Sequence, residues 1–169
     1  ILDKYNLLPN SYNLLIARME PENNIETIIK GHRNNSADKL IVIGNLDTTF
    51  GKYLASNYSS SVTFVGENYN FHELNSLRYF SKLYFHGHSV GGTNPSLLEA
   101  MACGCSIVAH DNPFNRDVLD QNALYFSSEK EIHDILNSKK TPIKNSADNN
   151  KKKLQEVYSF EIIHRSLKA

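Results

Sequence analysis

The residues best suited to chemistry are concentrated in one stretch, His86-Gly-His-Ser-Val-Gly-Gly-Thr-Asn-Pro-Ser-Leu-Leu-Glu-Ala-Met-Ala-Cys-Gly104. An apolar run ends at Phe85, and a glycine-rich loop follows to Thr93. A helix is then expected, with Asn94 as its N-cap and Pro95 in its first position, an arrangement helix starts favour. Gly104 supplies a left-handed stop. Unpaired amides of Gly91, Gly92 and the first helical turn would converge on one point. The helix dipole adds roughly half a positive charge there. Such a loop cradles a diphosphate. The plainer reading is a tight strand-to-helix connection that needs glycine only for its turns. Glu99 lies about one turn further along the same helix, where the dipole keeps a carboxylate ionised and able to accept hydrogen bonds from a vicinal diol such as a ribose. The spacing of His86 and His88 puts both on one side of a continuing strand, but no third ligand is evident nearby, so no metal site is expected.

These residues need elements to position them. Short apolar runs at Asn13–Ala17, Lys39–Ile43, Val62–Val65, Leu83–Phe85, Ser106–Ala109 and Ala123–Phe126 read as strands. Segments of helical spacing lie between and after them, at Glu22–His32, Thr48–Ser56, Phe71–Phe80, Pro95–Cys103 and Glu129–Leu136. The alternation predicts an α/β fold, a Rossmann-like doubly wound parallel sheet of about six strands with helices on both faces. Ligands of such sheets sit at the carboxyl ends of the strands, beside the switch in strand order. The last stretch, from about residue 143 to Leu167, reads as a helical tail with Leu154, Val157, Ile162 and Ile163 on its apolar side, and its polar Asn145–Asn150 part as a loop.

The chain has 169 residues, enough for one domain with a real core. Its 18 basic residues balance 18 acidic ones, which speaks against nucleic acid as a partner. No apolar run approaches the ~20 residues that span a bilayer. Cys103 and Cys105 are too close for a comfortable disulfide and read as small buried residues in a cytoplasmic setting. The start at Ile1-Leu2-Asp3, followed almost at once by a core strand, reads as a cut between two domains.

The segment Asn94-Pro-Ser-Leu-Leu-Glu-Ala-Met-Ala-Cys-Gly104, with Ile107-Val-Ala after it, resembles the donor-site pattern of the retaining glycosyltransferases of family 4, which have the GT-B fold. The version His-Gly-His-Ser-Val-Gly-Gly-Thr-Asn-Pro-Ser, with His110-Asp-Asn-Pro-Phe-Asn-Arg116, looks like a bacterial subgroup described as rhamnosyltransferases. The resemblance covers most of the chain and implies the C-terminal, donor-binding half of such an enzyme. Its substrate would be a dTDP-, UDP- or GDP-linked sugar and no further cofactor is implied. An N-terminal acceptor-binding domain and a glycan or lipid-linked acceptor would be its partners. A location in the cytoplasm, or at the inner face of the cytoplasmic membrane, goes with that activity.

By the same resemblance Arg18 matches the arginine that follows the first strand, Gly44 and Gly66 match strand-ending glycines, and Asp117 an acidic residue after the fifth strand. Arg18 and His88 are the expected catalytic residues. Gly91, Gly92, Thr93, Asn94 and Glu99 are expected to bind the donor together with Asn23, Gly66, Asn68, Tyr69, Asn112 and Arg116. Asn68 and Tyr69 would frame the base, while Asn112, Asn115 and Arg116 form a second polar loop within reach of the donor. Two positions depart from the pattern. The first of the family's paired glutamates falls on Gly91, and a lysine five residues after the arginine is here Asn23. The sugar must then be met by other groups, such as His88, the Gly92 amide or Asn94. Two rival readings keep the same sheet: half of a nucleotide-sugar epimerase, and a non-catalytic nucleotide-binding domain. A dinucleotide dehydrogenase is disfavoured, because no Gly-x-Gly-x-x-Gly follows the first strand.

Overall fold

A computed structural model describes residues 1–33, 38–138 and 145–158. Six parallel strands form one sheet: β1 (Tyr12–Ile16), β2 (Lys39–Ile43), β3 (Thr63–Gly66), β4 (Leu83–His86), β5 (Ile107–His110) and β6 (Leu124–Phe126). Their spatial order is β3-β2-β1-β4-β5-β6, so the chain reverses its direction of growth between β1 and β4. The loops after those two strands therefore flank the crevice where ligands of doubly wound sheets bind.

Alternation along each strand splits the core into two layers. Tyr12, Leu14, Ile41, Ile43, Tyr84, Ile107 and Ala109 face one side. There they pack on α3 (Phe71–Phe80), α4 (Pro95–Ala102), α5 (Pro113–Leu119) and α7 (Ser146–Val157) through Leu77, Leu97, Met101, Val118 and Leu154. Leu15, Leu40, Val42, Leu83, Phe85 and Val108 face the other side. They meet α1 (Ile25–His32), α2 (Thr49–Tyr58) and α6 (Glu129–Asn137) through Ile25, Ile28, Ile29, Leu54 and Ile132. Both faces are dry, which is why the strands read as near-continuous apolar runs.

Several local expectations change. Helix α1 starts at Ile25, because Pro21–Asn23 form a 3₁₀ turn and Asn24 takes a left-handed conformation at φ 49°. The expected polar loop after the fifth strand is helix α5, capped by the Asn112 side chain and opened by Pro113. The Asn145–Asn150 stretch is also helical: α7 begins at Ser146, and Asn150 is fully buried with its side-chain amide on the carbonyl of Asn122. Ile162, Ile163 and the rest of the expected tail beyond Tyr158 lie outside the described residues, as does Ile143. Gly104 ends α4 at φ 72°, as its position predicts. No helix among the described residues is long and apolar enough to cross a membrane.

Candidate functional site

A cleft of about 740 Å³ opens at the carboxyl ends of β1 and β4, within the ~300–1,000 Å³ range of small-molecule sites. Its floor comes from Leu15, Ile16 and Ile43. Its walls are the Ala17–Glu20 segment with Asn23, the Gly44–Asn45 turn, the Glu67–Tyr69 segment, the His86–His88 segment and the start of α4.

The loops after β1 and β4 are bound to each other. The Asn24 side chain donates to the Gly87 carbonyl at 2.8 Å. The Ser89 amide and hydroxyl both donate to the Glu22 carbonyl, at 3.0 and 2.8 Å. His88 Nδ1 lies 2.8 Å from Asn23 Oδ1. Backbone crosses backbone so closely at Gly87 that a Cβ there would come to 1.9 Å from the Asn23 carbonyl oxygen. Only glycine fits such an approach.

On the opposite wall, Asn94 caps α4 by accepting from the Ser96 amide at 2.9 Å. The carboxylate of Glu99 is held by Arg78, a residue 1% exposed. Arg78 also donates to Asn75 Oδ1 at 3.1 Å and approaches the Ser96 hydroxyl, which in turn shares a 2.7 Å bond with the Tyr84 hydroxyl. The other carboxylate oxygen of Glu99 has no partner among the described residues, and its side chain remains 40% exposed in the cleft. Arg78 was not among the residues expected from sequence. A signal was present, because Leu74, Leu77, Arg78 and Ser81 share the helical spacing of an apolar face.

Arg18 lines the cleft with its side chain 76% exposed, its guanidinium 3.3 Å from Glu20. His86 is buried in the cleft wall, where burial first and the neighbouring His88 second lower its pKa to about 3, keeping the imidazole neutral. Its Nε2 has no hydrogen-bond partner among the described residues. Burial pushes the Cys105 thiol up to about 12, so this cysteine behaves as a small core residue. Among the described residues no group of three histidine, cysteine or acidic side chains converges as a metal site would.

The other expected contacts divide. Asn68 and Tyr69 line the cleft, Tyr69 being 82% exposed with its hydroxyl on the Glu67 carboxylate. Gly66 stands just behind them at φ 83°. Gly91, Gly92 and Thr93 form an exposed rim beside Asn94 that lies outside the cleft lining, and the amides of both glycines are unpaired among the described residues. Asn23 does not present a free polar end to the cleft: it is 4% exposed, and its amide nitrogen donates to the Arg18 carbonyl at 2.8 Å. Asn112 and Asn115 turn inward, donating to the His88 carbonyl at 3.1 and 3.0 Å, so they support the loop. Arg116 lies outside the cleft lining, gripped by both carboxylate oxygens of Asp111 at 2.6 and 2.7 Å and stacked 4.0 Å over the Tyr125 ring. A competing carboxylate in the same turn accounts for its absence from the cleft.

The model of the family described as glycosyl transferases group 1 matches residues 7–155. No curated protein matches the chain. Among solved structures, the C-terminal domain of a glycosyl transferase group 1 family protein (LpcC) from Francisella tularensis is similar, with a TM-score of 0.72 and 21% identity. That likeness covers 94% of this chain and 90% of the other. Anabaena Alr3699/HepE, solved in complex with UDP and glucose, gives a TM-score of 0.79 at 15% identity, covering 99% of this chain and 50% of that one. Sucrose-phosphate synthase from Thermosynechococcus elongatus gives 0.75 at 18% identity, covering 98% of this chain and 46% of its own. The chain thus spans about half the length of the latter two proteins. At these identities the likeness is one of fold.

Proposed function

The chain belongs to the group 1 glycosyl transferases, and on that premise we propose that its cleft binds a nucleoside-diphosphate sugar as the donor of a glycosyl transfer. The observation that carries this reading is the carboxylate of Glu99, fixed by a buried arginine and offering its free oxygen to the cleft one turn from the start of α4. A ribose hydroxyl suits that acceptor. The diphosphate then lies toward the N-terminus of α4 and the Gly91–Gly92 rim, with Arg18 closing over it from the β1 side. The base is framed by the Glu67–Tyr69 segment, and the sugar faces His88.

Bond breaking leaves an oxocarbenium-like sugar and charge growing on the diphosphate. Arg18, the rim amides and the helix dipole stabilise that leaving group. The reading includes a hexosyl donor, with rhamnosyl as its specific form, retention of configuration and a glycan or lipid-linked acceptor. The acceptor is held by an N-terminal domain in the complete enzyme, in keeping with the half-length coverage of the two longer structures.

Calorimetric titration of this chain with dTDP, UDP and GDP tests the reading. One of them should bind with a dissociation constant in the micromolar range, about −8 kcal/mol. Silence with all three overturns it. In the complete enzyme, a glycosylated acceptor as product separates transfer from epimerisation of the donor.

A further inference from the structure

The Asn23–His88 contact has a direction. Asn23 Nδ2 donates to the Arg18 carbonyl, which fixes the side-chain oxygen as the atom turned toward His88. An amide oxygen only accepts, so the proton of this 2.8 Å bond belongs to His88 Nδ1. The amide cannot rotate away, because Asn23 is 4% exposed and its backbone is pinned against Gly87. In the neutral form of the ring this leaves Nε2 as a bare lone pair, and the ring is half-buried in the cleft lining. The carbonyl of His88 is held as well, by Asn112 and Asn115, so the ring's place is fixed from both sides.

A bare ring nitrogen repels the oxygens of a diphosphate, which carry no proton to share, and accepts from a hydroxyl. We propose that Asn23 is a positioning residue that locks His88 in the Nδ1–H tautomer, so that Nε2 recognises a donor hydroxyl and leaves the diphosphate to Arg18 and the rim amides. This rests on the donor-site reading and adds what His88 contributes to it. The hydroxyl can come from the transferred sugar or from the ribose. Because Glu99 already offers an acceptor to the ribose, the sugar is the source assigned here.

The test has two independent readouts on this chain. Nitrogen NMR of isotope-labelled protein, with the His88 signals assigned by a His88→Ala variant, reads the tautomer directly. The wild type should carry its proton on Nδ1, and Asn23→Ala should lose that preference. A purely structural role for Asn23 would not reverse the tautomer in a variant that stays folded. A wild-type proton on Nε2, or an unchanged tautomer in Asn23→Ala, overturns the lock. If Asn23→Ala does not fold, the wild-type spectrum still decides the point: a proton on Nε2 overturns the lock and a proton on Nδ1 supports it.

Calorimetry with UDP-glucose against UDP, and dTDP-rhamnose against dTDP, reads the hydroxyl. Asn23→Ala should weaken the sugar conjugate that binds by about tenfold while its parent nucleotide stays within about twofold. Equal weakening of both moves the contact to the ribose and overturns the assignment to the sugar. No binding of any nucleotide, with the tautomer as stated, overturns the donor reading and the role of Nε2 while the Asn23–His88 lock stands.

Discussion

The guanidinium of Arg78, buried to 1% exposure, grips the carboxylate of Glu99 from behind, while the glutamate's side chain keeps 40% of its surface open to the cleft. The pair is lopsided. The arginine has no route to water, and the glutamate has one. Removing each partner therefore has a different consequence.

Glu99→Ala leaves a buried cation with only Asn75 and Ser96 as partners among the described residues. Breaking a fully buried pair costs about 3–5 kcal/mol. Solvent already screens Glu99, so a loss of about 1–2 kcal/mol is expected here. Arg78→Met removes the buried charge and leaves a carboxylate that water can reach, so its loss should be smaller. Both variants should weaken the nucleoside diphosphate by about tenfold, ~1.4 kcal/mol. Urea unfolding and calorimetry measure the two effects; a larger stability loss in Arg78→Met would refute the asymmetry.

The Arg18 side chain is exposed and its guanidinium pairs only with Glu20 among the described residues, so Arg18→Ala should leave stability within about 0.5 kcal/mol of wild type. Transfer by the complete enzyme should fall by roughly 10²–10³, the loss typical of one donor to a developing negative charge. Turnover at the wild-type rate would remove Arg18 from the site.

Two glycines of one loop should respond oppositely. Gly87→Ala drives a Cβ into the Asn23 carbonyl and should cost about 2–3 kcal/mol through backbone displacement. Gly91 has φ 68°, and a Cβ added there would meet nothing within 4 Å, so Gly91→Ala should cost only the left-handed backbone penalty of about 1 kcal/mol. Its larger effect should be on diphosphate binding, because the rim amides are re-aimed. Thermal melts alongside nucleotide titration separate the two.

Acid should loosen the fold in a predictable window. Burial lowers the pKa of His32 to about 4 and of His86 to about 3, from an unfolded value of 6.5. Both folded values are depressed, so the unfolded chain takes up protons that the folded chain refuses. The full stability is present above pH 6.5 and is lost as pH falls toward the folded values. Each histidine contributes a slope of about 1.4 kcal/mol per pH unit over that window. Urea midpoints followed from neutral pH to about pH 5 should show the decline, and His32→Gln should halve the part due to these two residues. A flat profile would contradict the burial of both rings.

The sequence made the frame legible because both faces of the sheet are dry. Strands such as Leu40-Ile-Val-Ile43 have no polar face to blur their pattern, and Asn94-Pro95 and Gly104 announced the limits of α4 through local geometry. Helix α5 was illegible for the opposite reason: its seven residues bring little apolar periodicity beyond Val118 and Leu119. In the site, Glu99 was readable from its place on a capped helix. Arg78 carried only a faint signal, its place on the apolar face of α3, since its partner lies 21 residues away and a helical arginine ordinarily faces water. Asn23 looked like a missing cation. Its partner, His88, is 65 residues distant, and only the folded crossing of the two loops brings them together.

That crossing also governs how the protein can change. The segments after β1 and β4 share their hydrogen bonds and occupy each other's space, from Glu22 and Ser89 through Asn24 and Gly87. A replacement segment with any side chain at position 87 would collide with the Asn23 carbonyl, and one lacking the donors of Asn24 or Ser89 would strand a carbonyl. A change in either segment must therefore be matched in the other, across an interface that belongs to both.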